Sequence, residues 1–133
     1  MSRRVSRRLV ALAAAGLVVA GCGGGGGDDD GAKRYVEPSQ PAQETLTLES
    51  GNFYFKPDNP TVDEGVINLE LDNVGGIHTL VFDDGEVPGF LLEVSGNGST
   101  DAKKVELESG KYDFYCDLIG HRERGMEGTL TVK

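Results

Sequence analysis

From Glu44 to Lys133 apolar and polar residues alternate in short runs. A period of two marks strands with one buried face. Leu46 and Leu48 alternate with threonine and glutamate, and Phe53 and Phe55 flank Tyr54. Ile67, Leu69 and Leu71 alternate with Asn68, Glu70 and Asp72. His78, Leu80 and Phe82 share one face, as do Tyr112, Phe114 and Cys116. Val105 and Leu107 form another such run, and Leu130 and Val132 close the chain. Turn-forming clusters separate the runs at Ser50-Gly51-Asn52, 57–60, Glu64-Gly65, Gly75-Gly76, 95–99 and Ser109-Gly110. Such clusters punctuate strands because Gly, Pro, Asn and Ser favour turn geometry. No helical period is sustained there. The pattern predicts an all-β domain over 44–133, a Greek-key antiparallel sandwich of about seven or eight strands.

The first 43 residues have a different character. Arg3, Arg4, Arg7 and Arg8 precede an uncharged apolar run from Leu9 to Ala20. A basic start followed by a short hydrophobic stretch is the pattern of a secretory signal, assigned to residues 1–21. The paired arginines leave Sec and twin-arginine export both open. Val19-Ala20-Gly21-Cys22 resembles a bacterial lipobox, in which cleavage before the cysteine is followed by its lipidation. The alternative is an ordinary cleaved signal that carries a cysteine. Five glycines and Asp28-Asp29-Asp30 follow, and polar residues, Gly and Pro dominate to Gln43. Such a segment offers no core and is expected to be a disordered tether over 22–43. The expected protein is therefore exported and lipid-anchored to the outer face of the cell membrane.

Removing the signal sharpens the charge. The whole chain carries −9, but residues 1–21 hold four arginines and no acid, so the remainder carries −13. That balance excludes nucleic acid as a partner. It favours partners with a basic face. Of two cysteines, a lipidated Cys22 leaves Cys116 without a disulfide partner. A single thiol in an oxidising compartment calls for a chemical role.

The ligand-type residues supply one. Copper electron-transfer sites use a thiolate, two imidazoles and a weak axial thioether, a set tolerable to both oxidation states. With Met1 removed, the domain offers Cys116, His78, His121 and Met126. Cys116 lies on the inward parity at a strand end, His121 and Met126 follow in one loop, and His78 begins an earlier strand on the inward parity. Zinc fits less well, since it seldom takes methionine and its structural sites use four Cys/His ligands. The acidic runs Asp28 to Asp30 and Asp83-Asp84 read as solvated faces.

The segment Tyr115 to Val132, Tyr-Cys-x4-His-x4-Met-x-Gly-x-Leu-x-Val, resembles the ligand loop and last strand of the cupredoxins, the plastocyanin and azurin family. Phe55-x-Pro57 to Val62, Gly65, and Leu69 to His78 resemble its earlier strands. The resemblance implies one type 1 copper ion held by His78, Cys116, His121 and Met126. It also implies an electron port at His121, ringed by Leu118, Ile119 and Gly120. Thr79 stands where many members have Asn, and its hydroxyl is expected to hydrogen-bond near the cysteine. The Ile77 carbonyl is a candidate distant ligand. The Cys116–His121 gap is azurin-like and the His121–Met126 gap plastocyanin-like, so the subfamily stays open.

The expected function is single-electron shuttling by a monomer between redox proteins such as a cytochrome or a membrane oxidase or reductase. A copper chaperone or storage protein is the alternative, because the same ligands serve it. An enzyme is not expected: catalytic copper centres need further imidazoles, and both histidines are used.

Overall fold

The computed structural model describes residues 34–133. The expected signal peptide, Cys22 and the start of the expected tether lie outside the described residues. Nine strands follow one another: β1 (Glu44–Gly51), β2 (Tyr54–Lys56), β3 (Thr61–Val62), β4 (Gly65–Asn73), β5 (Ile77–Phe82), β6 (Leu92–Ser95), β7 (Thr100–Leu107), β8 (Gly110–Tyr115) and β9 (Glu127–Val132). Two short 3₁₀ turns, at Asp83–Gly85 and Arg122–Arg124, are the only helical elements among the described residues.

The strands form two sheets, ordered β2-β1-β4-β7 and β3-β9-β8-β5-β6. Period-two alternation turns one face of each inward. Leu48, Ile67, Leu69, Leu71, Val105 and Leu107 from the first sheet meet Leu80, Phe82, Leu92, Val94, Phe114, Leu130 and Val132 from the second in one core. The sandwich is as the alternation predicts, but the pairing is mixed. β1 runs parallel to β4, and β3 parallel to β9. After β1 the chain pairs back as β2, crosses to the other sheet as β3, and returns as β4 in the original direction. A parallel pair needs such a crossover. Alternation is identical in both pairings, so the pattern could not separate them.

Close packing explains one glycine. A side chain at Gly128 in β9 would run into the Asp58 carbonyl and the Phe114 ring. The last strand therefore lies directly beneath the β2–β3 connection.

Residues 34–43, assigned by composition to the tether, lie against the domain. The Tyr35 ring meets Phe90 edge-on at 5.1 Å. Its hydroxyl donates to the Lys104 carbonyl, and the Lys104 N–H donates to Glu37 Oε1 at 3.0 Å. Lys104 Nζ donates to the Gln40 carbonyl at 3.0 Å. These groups satisfy backbone on the outer edge of β7, the terminal strand of its sheet. An uncovered edge would be a template for another chain.

Candidate metal centre

The site lies at one end of the sandwich. Inward parity carries Cys116 past the end of β8 into the interior, where it is fully buried. Its N–H donates to the Met126 carbonyl at 3.0 Å, which closes the intervening loop. Within the loop, the His121 N–H donates to Leu118 O at 3.0 Å and the Met126 N–H to His121 O at 3.1 Å. Gly125, at φ 100°, ends the 3₁₀ turn between them. Arg122 anchors that turn to both flanks, bonding Asp83 at 2.6 Å and Glu127 at 2.8 Å while lying over the Tyr115 ring. The loop lacks a proline, yet these bonds fix where His121 and Met126 return.

His78 enters from β5, on the same face as Leu80 and Phe82, and is buried. The ligand atoms of His78, Cys116 and His121 lie within 4.8 Å of one another. Met126 is fully buried, and its backbone is bonded to both Cys116 and His121. His121 Nδ1 stands 3.4 Å from Cys116 Sγ. The two imidazole centroids are 5.3 Å apart.

His78 shows that this cluster suits a metal. Its Nε2 lies 2.9 Å from the Gly75 carbonyl. A carbonyl only accepts, so Nε2 carries the proton and the neutral ring keeps its lone pair on Nδ1. Nδ1 is buried and has no protein hydrogen-bond partner. A buried acceptor left unmatched is costly, and a metal ion would satisfy it. Burial, with a smaller push from His121, holds the His78 pKa below its ordinary value despite the Gly75 bond. The ring is thus kept in the neutral form a metal requires.

Thr79 is buried beside the thiol. Its N–H donates to Cys116 Sγ at 3.4 Å, and its hydroxyl oxygen lies 3.5 Å from the sulfur. That hydroxyl donates to Asp117 Oδ1 at 2.5 Å and accepts the Asp117 N–H at 3.0 Å. The hydroxyl therefore secures the residue after the cysteine, while the backbone amide faces the sulfur. Ile77 lies at the rim with its side chain 61% exposed.

A shallow depression over the site is lined by Asn52, Phe53, Gly76, Ile77, His78, Leu118 and His121. Of the residues expected at an electron port, Leu118 and His121 line it. Ile119 projects fully into solvent, and Gly120 is half-buried.

The period-two run sets Phe53 and Phe55 on either side of Tyr54, as alternating strand positions. Phe53 instead occupies a turn at φ 64°, unusual for a residue with a side chain. Its ring meets His121 edge-on at 5.1 Å, and the Arg124 guanidinium lies 4.4 Å above it. The Ser50-Gly51-Asn52 turn signal reached almost to Phe53 and was the one hint of this.

Comparison with known proteins agrees with the geometry. Residues 42–133 match the model for copper binding proteins of the plastocyanin/azurin family. Plastocyanin A/B of Petroselinum crispum is 36% identical over 98 residues, covering 68% of this chain and 99% of that one. Plastocyanin of Scenedesmus fuscus is 31% identical, covering 66% of this chain and 95% of that one. Among solved structures, the dithionite-reduced auracyanin of Roseiflexus castenholzii superposes with a TM-score of 0.59 at 19% identity, over 70% of this chain and 99% of that one. Auracyanin B matches with the same score at 18% identity, over 77% of this chain and 96% of that one. The chain belongs to the plastocyanin/azurin family of copper-binding proteins. The family binds one type 1 copper ion, and its members are electron carriers rather than enzymes.

Proposed function

From that membership we propose that the protein is a membrane-tethered carrier of single electrons outside the cytoplasm, with copper held by His78, Cys116, His121 and Met126. Copper supplies one-electron chemistry by cycling between Cu(I) and Cu(II). The observation that carries the ligand assignment is the buried, unpartnered Nδ1 of His78 beside Cys116 and His121.

The protein's task is to keep these ligands in one arrangement for both oxidation states. The closed Cys116–Met126 loop and the Thr79 N–H on the sulfur support that rigidity. Electrons enter and leave at the half-buried His121, through the apolar rim of Phe53, Ile77 and Leu118. The partners are redox proteins, a cytochrome or a membrane oxidase or reductase, with a basic face toward this acidic chain. Lipid on Cys22 holds the monomer at the outer face of the membrane.

Reversible redox cycling in the presence of a Cu(I) chelator tests this reading. A carrier bleaches on reduction and regains its full colour on reoxidation without losing copper. Surrender of copper to the chelator on each reduction would instead mark a chaperone or storage protein.

A further inference from the structure

Asn73 is the last residue of β4 and is only 3% exposed. A buried amide must find partners for both of its ends. Its Nδ2 donates to the Gly76 carbonyl at 3.0 Å and the Gly96 carbonyl at 2.8 Å, with Ser99 Oγ at 3.4 Å. Its Oδ1 accepts the Gly75 N–H at 3.2 Å and the Ser50 hydroxyl at 3.3 Å. Carbonyls only accept and a backbone N–H only donates, so these partners fix the amide's orientation.

The partners on the Gly75-Gly76 turn matter most. Two glycines in succession have more backbone freedom than any other pair, so local sterics leave this turn undetermined. Gly76 has φ +83°, and a Cβ there would sit 3.0 Å from His78 Nε2. Only glycine lets the ring lie so close. Asn73 grips the turn on both sides, at the Gly75 N–H and the Gly76 carbonyl. Between those two grips lies the Gly75 carbonyl that accepts the hydrogen bond from His78 Nε2–H.

We infer that Asn73 is a positioning residue for His78: its amide holds the Gly75-Gly76 turn so that the Gly75 carbonyl fixes the His78 proton on Nε2 and leaves Nδ1 free toward Cys116 and His121. The inference rests on the reading of His78 as a copper ligand. Without the grip the Gly76 carbonyl keeps only the Gly96 N–H at 2.8 Å and the Gly75 N–H loses Asn73, so the Gly75 peptide turns, its carbonyl moves away, and the ring populates the tautomer with its proton on Nδ1. That tautomer cannot bind metal through Nδ1. Partners of this kind are worth about 10- to 100-fold in metal affinity.

The test compares Asn73→Ala and Asn73→Ser with the parent. Both lose the Nδ2 grips on the Gly76 and Gly96 carbonyls, and Ser adds a small hydroxyl without burying a charge, so it is the second variant should Ala fail to fold. Ser99→Ala serves as control, because it removes only the 3.4 Å partner of Nδ2 and a bond to the Gly96 carbonyl, and leaves both grips on Gly75 and Gly76 in place. The first readout is the nitrogen NMR spectrum of the His78 ring in metal-free protein. The parent and Ser99→Ala should show one tautomer, protonated on Nε2, and the Asn73 variants a mixture. The second is the rate of copper release to a chelator, which should rise about 10- to 100-fold in the Asn73 variants alone. A parent protonated on Nδ1 overturns the inference. So does a folded Asn73 variant that keeps the single tautomer or releases copper at the parent rate. A parent with the Nε2 tautomer that fails to bind copper would sink the copper reading and leave the grip itself standing.

Discussion

Cys116 and His78 are legible in the sequence for a chemical reason. Ligand types are scarce in this chain, so their inventory narrows the choice before any geometry is known. Parity then turns both side chains inward, and they are buried. Met126 shares their burial, but an axial thioether tunes a copper site more than it holds it. Met126→Leu conserves volume, so unfolding should show a stability change under about 1.5 kcal/mol. Voltammetry should show a clear shift in reduction potential. An unchanged potential would remove Met126 from the axial position. Other residues escaped the pattern. Phe53 sits in a left-handed turn, and the value of Asn73 lies in five partners from three parts of the chain. Neither property leaves a periodic trace.

Among the elements, alternation located the strands well, because burial on one face is what it records. It missed direction, as in β1 against β4, since direction depends on the excursion through β2 and β3. It also missed the hold on residues 34–43, where one aromatic ring among polar neighbours does the docking. Burial, aided by the charge of Glu37, pushes the Tyr35 pKa from its ordinary 10 up to about 12. The folded state thus favours the neutral phenol. The contribution is whole below about pH 10 and is lost as pH rises through about 12. Urea unfolding should show the parent losing stability over that range more steeply than Tyr35→Phe. Parallel curves would mean that Tyr35 is not held as described.

Across the whole molecule, charge and site meet in one function. The chain beyond residue 21 carries −13, a field that steers basic partners. Raising ionic strength from 0.01 to 0.15 M cuts the Debye length from about 30 Å to about 8 Å. The rate of electron exchange with a basic cytochrome should therefore fall steeply over that range, measured by stopped flow. A rate indifferent to salt would contradict electrostatic steering. The central claim is that Cys116 gives its thiolate to a copper ion shared with His78, His121 and Met126. Its most direct test is the visible and electron paramagnetic resonance spectrum of the domain after adding Cu(II). An intense blue band with narrow copper hyperfine splitting, both absent in Cys116→Ser, is the predicted result. Colourless binding with the wide splitting of an ordinary Cu(II) complex, or a blue Cys116→Ser protein, would contradict it.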